Sequence, residues 1–307
     1  MNRRTPLLRR LAPILSTIIG LCVLGGCGDD PEPATRAAPD RPSPAIASLS
    51  PAATDLLLGM GAGDHLVAVS DYDTDERAVR LPRVGAYQSF DFERLAEVRP
   101  DVMIVQKDPA SLPPGAKQNA EQLGITFYNA KINRLRDIID EVGRLATLVG
   151  EDPEAMRRKF TAALDAGRAL PADYYERAAA SGPRVLVLLN DELSFAAGRD
   201  NYLDDLILNS GGRNAIGEGL VAWPQLDREA LLSLEPEAVV LILPDATPAQ
   251  LAAAEANWNA VADAMNVPWA DVTVVTDSYA MIPGWRVVEL ANLLRDAVNR
   301  VRNEARP

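Results

Sequence analysis

The sequence predicts an α/β protein of two related lobes, each with a mostly parallel sheet covered on both faces by helices. Three observations carry that expectation. Short apolar strands alternate with helical patterns in both halves of the 307-residue chain. A helix-prone segment without strand character, 151–182, separates the halves. One pattern is also written twice. "AYQSFDFERLAEVRPDVMIV" from Ala86 and "AWPQLDREALLSLEPEAVVLI" from Ala222 each give an aromatic, Asp-x-Glu, an apolar helical run, Pro, an acid and a β-rich strand. Tyr87 and Trp223, Asp91 and Asp227, Glu93 and Glu229, and Pro100 and Pro236 are all 136 residues apart.

The first lobe is expected over 45–150. "AIASLS" reads as a buried strand, and Ser50 followed by Pro51 suits the N-cap and first position of the helix "AATDLLLGMG", ended by Gly61 and Gly63. "HLVAVS" is a second strand. Asp91 caps a short helix that stops before Pro100, and "DVMIVQ" is the next strand. A helix over "GAKQNAEQLG" and a strand over "ITFYNA" follow. Leu135, Ile138, Ile139, Val142, Leu145, Ala146 and Val149 then form an amphipathic helical stripe. The segment 151–182 is expected to bridge the lobes as helix, broken or kinked by Pro171 unless a new helix starts there.

The second lobe is expected over 183–307. It restarts with the strand "RVLVLLN" and the helix "NYLDDLILNSGG", whose sequence weakly parallels the first helix of the other half. An Asp227-capped helix, the strand "AVVLILP", one helix through "TPAQLAAAEANWNAVADAM", the strand "DVTVVT" and a last helix from about Pro283 to Glu304 complete it. Two related lobes joined by helix place a cleft between them, a preferred setting for a ligand.

The N-terminus reads as an export signal, with a basic stretch "MNRRTPLLRR" before the apolar "LAPILSTIIGLCVL", which is short for a membrane span. Leu24-Gly25-Gly26-Cys27 resembles a bacterial lipobox, so 1–27 is expected to be a lipoprotein leader with Cys27 as the acylated residue. A diacyl group is enough for stable membrane attachment. The Pro- and acid-rich stretch 28–44 reads as a tether. Cys22 and Cys27 are the two cysteines, so the lobes hold no thiol or disulfide. Formal net charge is −12, and loss of Arg3, Arg4, Arg9 and Arg10 leaves about −16. Such a surface repels nucleic acid and anionic lipid.

From "SLSPAATDLLLGMGAGDHLVAVSDYDTDERAVRLPRVGAYQSFDFERLAEVRPDVMIV" to "VAWPQLDREALLSLEPEAVVLI", the chain resembles the helical-backbone (class III) substrate-binding proteins of ABC importers. Their ligands are cobalamin, ferric siderophores and haem. The second stretch is closest to the corrinoid binders. The resemblance implies that Glu93 and Glu229 dock into arginines of the permease dimer. Their placement also makes sense physically, since each falls in a first helical turn behind an Asp cap and is favoured by the helix dipole. It further implies that Tyr87 and Trp223 clamp a flat macrocycle from opposite walls. Tyr72, Phe195 and Asp277 match softer cleft positions, Tyr279 and Trp285 share a loop with Asp277, and Ser50 at the end of the first strand joins the ligand-facing set.

Four departures stand against the corrinoid pattern. Tyr replaces Trp at 87. Gln106 and Lys107 stand where another aromatic is expected, and Arg286 alone is available for an arginine near "YAMIPGW". Pro171 interrupts the bridging segment. Corrinoid, siderophore and haem all remain open as ligands, with corrinoid favoured because few basic residues fall in the cleft loops.

An exported hydrolase finds little support. There is no G-x-S-x-G or H-E-x-x-H, the single His is His65, and no Cys nucleophile remains after the leader. The same poverty of His disfavours a receptor for free zinc or manganese. The expected protein is a non-enzymatic monomer without a cofactor of its own, exported and lipid-anchored to a membrane or cell surface. A bulky metal chelate and a permease dimer are its partners. A ligand-sensing module that has left transport remains the alternative.

Overall fold

The first half runs β1 (Ile46–Ser48), α1 (Pro51–Met60), β2 (Leu66–Val69), an antiparallel pair β3 (Gly85–Ala86) and β4 (Ser89–Phe90), α2 (Phe92–Val98), β5 (Val102–Val105), α3 (Ala116–Gln122), β6 (Thr126–Asn129) and α4 (Leu135–Leu148). Two connecting helices follow, α5 (Pro153–Leu164) and α6 (Tyr174–Ser181). The second half runs β7 (Arg184–Leu188), α7 (Tyr202–Asn209), β8 (Arg213–Asn214), α8 (Arg228–Ser233), β9 (Ala238–Ile242), α9 (Pro248–Asn259), α10 (Ala262–Met265), β10 (Thr273–Val275) and α11 (Val287–Glu304). This computed structural model describes residues 42–86, 88–107, 111–168, 170–171, 173–217 and 221–304. The expected leader, Cys27, nearly all of the expected tether and Tyr87 lie outside the described residues.

Each half winds one four-stranded sheet, in the order β2-β1-β5-β6 and β8-β7-β9-β10. All six strand pairings within these two sheets are parallel. The orders are the same once β1 is matched with β7, β2 with β8, β5 with β9 and β6 with β10. The constant offset in sequence therefore reflects a repeated topology, with α2 leading into β5 as α8 leads into β9.

The strands are apolar on both faces because helices cover both. Alternate residues go to different cores. Val102 and Ile104 join one apolar cluster while Met103 and Val105 join another. Val185 and Val187 join the same first cluster, and Leu186 and Leu188 a third. The shared cluster is filled by α1, α4, α5, α7 and α11, with Leu56, Leu145, Phe160, Leu206 and Leu294 fully buried in it. One continuous apolar layer thus joins the inner faces of the two sheets. The two outer clusters belong to one sheet each.

Local chemistry sets most element starts. The Ser50 hydroxyl accepts the Ala53 N–H at the head of α1, and Asn201 Oδ1 accepts the N–H groups of Leu203 and Asp204 at the head of α7. Asp91 and Asp227 cap α2 and α8 in the same way, accepting from Arg94 N at 2.8 Å and Ala230 N at 2.7 Å.

The bridging segment is two helices, α5 ending at Leu164 and α6 beginning at Tyr174, with Pro171 between them as expected; two later boundaries differ from the sequence reading. Ala166 turns left-handed at φ 50°, and the N–H groups of Ala166 and Gly167 close back on Ala163 O and Ala162 O, ending α5. The helix expected through "TPAQLAAAEANWNAVADAM" splits after Asn259. There the fully buried Trp258 donates its indole N–H to Val267 O and fixes the turn that follows. The last helix starts at Val287 instead of Pro283, because the preceding residues wrap a carboxylate from the other half.

Candidate functional site

Because the strands of both sheets are parallel, the loops leaving their C-terminal ends collect along one edge of each sheet, where open α/β folds bind ligands. On the first sheet the ends of β1, β2 and β5 deliver Leu49, Ser50 and Pro51, Ser70 and Tyr72, and Gln106 and Lys107 to one concavity of about 440 Å³. Two sequence-predicted residues, Ser50 and Tyr72, meet here. Tyr72 is 67% exposed.

The concavity is braced from below. The Ser50 hydroxyl donates to Gln106 Oε1 at 2.9 Å, and Gln106 Nε2 donates to Ile132 O at 3.1 Å. That chain ties the segments following β1, β5 and β6. Arg83 Nη1 donates to Ser70 O and Asp73 O, each at 2.8 Å, and so holds the loop that presents Tyr72. The position read in the sequence as a missing aromatic is thus filled by a side chain that ties three strand ends.

On the second sheet the loops holding Phe195 and Trp223 are zipped together. Leu189 N donates to Phe195 O at 2.8 Å, Ala196 N to Pro224 O at 3.1 Å and Leu226 N to Ser194 O at 2.7 Å. The α7 cap Asn201 also donates its amide to Ala222 O at 2.7 Å. Trp223 is 37% exposed, and its ring lies 6.3 Å from that of Tyr202 with the planes at 55°. Asp277 is exposed after β10, and Tyr279 sits with the Arg286 guanidinium 4.6 Å above its ring. Burial and the neighbouring Glu289 push the Tyr279 hydroxyl well above its ordinary pKa.

Trp285 is engaged in packing. Its ring meets Phe160 edge-on at 5.2 Å, lies 5.3 Å from Lys159 Nζ and covers Gly59, where a Cβ would come within 2.0 Å of it. It wedges the last helix of one half against α1 and α5.

A charge cluster that sequence reading missed lies behind these loops. Asp55 on α1 is only 1% exposed and Asp75 only 4%. Arg286 donates its backbone N–H to Asp55 Oδ2 at 2.9 Å, its Nε to Asp55 Oδ1 at 2.7 Å and Nη2 to Asp75 Oδ2 at 2.8 Å. Arg77 reaches the same two carboxylates, at 2.7 Å and 2.6 Å. Gly284 is required here, since a Cβ would come within 2.4 Å of Asp55 Oδ2. Burial raises the Asp75 pKa, but the Arg77 hydrogen bonds and the Arg286 and Arg77 charges outweigh it and leave the carboxyl below the ordinary range. Burial keeps neighbouring Asp73 above that range. Arg286, the arginine expected for the ligand, is committed to this cluster. No local pattern points to it, because Asp55 and Arg286 are 231 residues apart.

Glu93 and Glu229 lie apart from the concavity, both exposed in the first turns of α2 and α8 behind matching Asp caps. Neither forms a salt bridge among the described residues. The reading of Tyr87 falls outside the described residues; its neighbours form the β3–β4 hairpin that leads into α2.

Comparison with known proteins agrees with this architecture. A vitamin B12-binding protein of Vibrio cholerae serotype O1 is 30% identical over 200 residues, covering 64% of this chain and 70% of the relative. One from Pectobacterium atrosepticum is 26% identical over 198 residues, covering 64% and 70%. Among solved structures, the periplasmic vitamin B12-binding protein of Vibrio cholerae superposes with a TM-score of 0.63 at 23% identity, covering 84% of this chain and 97% of that one. A periplasmic haem-binding protein from Pseudomonas aeruginosa gives 0.65 at 21% identity, covering 83% and 92%. At these identities the two structures speak for the fold. The family model described as periplasmic binding protein matches residues 46–255, and the chain belongs to that family.

Proposed function

We propose that this protein is the lipid-anchored substrate-binding component of an ABC importer, taking up a bulky metal chelate, cobalamin or another corrinoid in the first place. The observation that carries the reading is the duplicated corner. In each half of the sequence an aromatic precedes an Asp-capped helix, and the first turn of that helix exposes a glutamate that forms no salt bridge among the described residues. Trp223 offers a rigid ring with little entropy to lose, the kind of surface that holds a flat macrocycle. Two rigidly mounted carboxylates, Glu93 and Glu229, suit simultaneous engagement of both halves of a symmetric permease. The 30% identity to a vitamin B12-binding protein supports the choice of ligand. On this reading the protein makes and breaks no bond, the metal arrives with the ligand, and Cys27 supplies the membrane anchor of an exported monomer.

Haem is the second reading, and one observation favours it. Tyr72 presents a 67% exposed phenol at the first-half concavity, a group able to ligate ferric iron. Calorimetric titration of the purified protein with cyanocobalamin, cobinamide, haemin and a ferric siderophore separates these. Sub-micromolar binding of the two corrinoids, with the others weaker by tenfold or more, is the expected result. Haemin binding lost in Tyr72→Phe moves the assignment to haem, and no binding of any of the four rejects the chelate reading.

A further inference from the structure

Tyr202 is the first residue of α7, one position after the Asn201 cap. Its counterpart in the first half is Pro51, one position after the Ser50 cap of α1, and Pro51 lines the ligand-facing concavity. The repeated topology therefore places Tyr202 on the matching edge of the second sheet. Trp223 lies against it, with the ring centres 6.3 Å apart.

What sets Tyr202 apart is its hydroxyl. The residue is 5% exposed, and the oxygen is buried with no hydrogen-bond partner. A buried polar group left unpaired is costly and rare in native proteins, so each instance needs a cause. Phe at this position would fill the same space without that cost. The adjacent cap residue Asn201 is already committed, its Oδ1 to Leu203 N and Asp204 N and its amide to Gly198 O and Ala222 O. The Tyr202 hydroxyl stays without a partner among the described residues, and the 37% exposed Trp223 packs its ring against that of Tyr202.

We propose that Tyr202 is a specificity-determining residue whose O–H donates a hydrogen bond to an acceptor on the rim of the bound chelate, an amide carbonyl or carboxylate, when Trp223 shifts to receive the ligand. This rests on the chelate-binding reading. It assigns the second wall a polar contact in addition to its aromatic ones.

The test is Tyr202→Phe in the full chain, compared with wild type by thermal unfolding without ligand and by calorimetric titration with cyanocobalamin and with haemin. The variant is expected to melt at the wild-type temperature or above it, since no bond is lost, and to bind the preferred chelate roughly tenfold more weakly. Affinity within twofold of wild type overturns the assignment. So does a melting temperature several degrees lower, which would show that the hydroxyl is bonded in the free protein. If wild type binds cyanocobalamin or haemin and Y202F binds equally well, only this inference fails. If wild type binds neither of these, nor cobinamide or the ferric siderophore, the chelate reading fails and Tyr202 with it.

Discussion

Arg286→Met is the perturbation with the largest consequence that the structure specifies. The guanidinium makes two side-chain hydrogen bonds, at 2.7 Å to Asp55 and 2.8 Å to Asp75, and these carboxylates are 1% and 4% exposed. Methionine keeps the apolar stem and the backbone N–H bond to Asp55 but removes the charge. Breaking a buried pair by removing one partner costs about 3–5 kcal/mol, because the other charge stays buried. Arg77 still touches both carboxylates, but it is 44% exposed and its charge is screened, so the low end of about 3 kcal/mol applies. For a protein of this size that corresponds to a drop of roughly 5–6 °C in melting temperature. Thermal unfolding of R286M, D55N and the double variant measures it. The double variant should be more stable than the sum of the single losses by more than about 1 kcal/mol, since D55N removes the charge that R286M strands. A drop under 1 °C in R286M, or strict additivity, would refute the buried-clamp reasoning.

Asp75→Asn tests the same cluster through pH. The Asp75 pKa is depressed in the folded state, so its contribution is present above the ordinary value of 3.8 and is lost as the pH falls below it. The stability lead of wild type over D75N should be constant near neutrality and shrink below that value; a lead that grows on acidification contradicts the sign. Trp223→Ala should weaken chelate binding by well over tenfold while leaving the melting temperature within a few degrees, because the residue is already 37% exposed. Glu93→Ala with Glu229→Ala should leave chelate affinity unchanged and abolish uptake in cells. Persistent uptake removes these two residues from docking.

Much of the fold was legible because its causes are local. Ser50-Pro51, Asp91 and Asp227 announce helix starts through side chains that reach only three residues ahead, and all three caps form. The β5 and β9 strands read correctly because apolar residues on both faces mark strands buried between helices. Where the cause is distant, the sequence is silent. α11 starts late because Asp55, from the other half, takes the N–H of Arg286. β8 escaped because Arg213 and Asn214 form a two-residue edge strand with no apolar run, held by pairing to β7. In the candidate site, the family resemblance names Ser50 and Tyr72, and the two meet at one concavity. The commitment of Arg286 to acids and of Trp285 to interlobe packing was not readable, since both depend on chain segments more than 100 residues away.

The duplicated topology also makes the contacts between the halves reciprocal. Asp55 on α1 of the first half receives the Arg286 N–H just ahead of α11, together with the Arg286 side chain. Asp205 on α7 of the second half receives the Leu135 N–H at the start of α4, at 2.9 Å, together with the Arg134 side chain at 2.9 and 2.5 Å. Each half's first helix thus supplies a carboxylate that closes the N-terminus of the other half's last helix, and each N-terminus adds an arginine to hold it. The dipole of the receiving helix favours both arrangements. The apolar layer between the sheets runs between these two clamps, so rotating one lobe away from the other would break one ion pair on a buried carboxylate and one partly exposed ion pair, and open a shared core at once. The first clamp also holds the Asp73–Asp75 turn that follows Tyr72 and, through the stacked Arg286, Tyr279. On the proposed chelate-binding function, capture is expected to proceed by adjustment of side chains such as Tyr72 and Trp223 on this frame, with little displacement of the lobes.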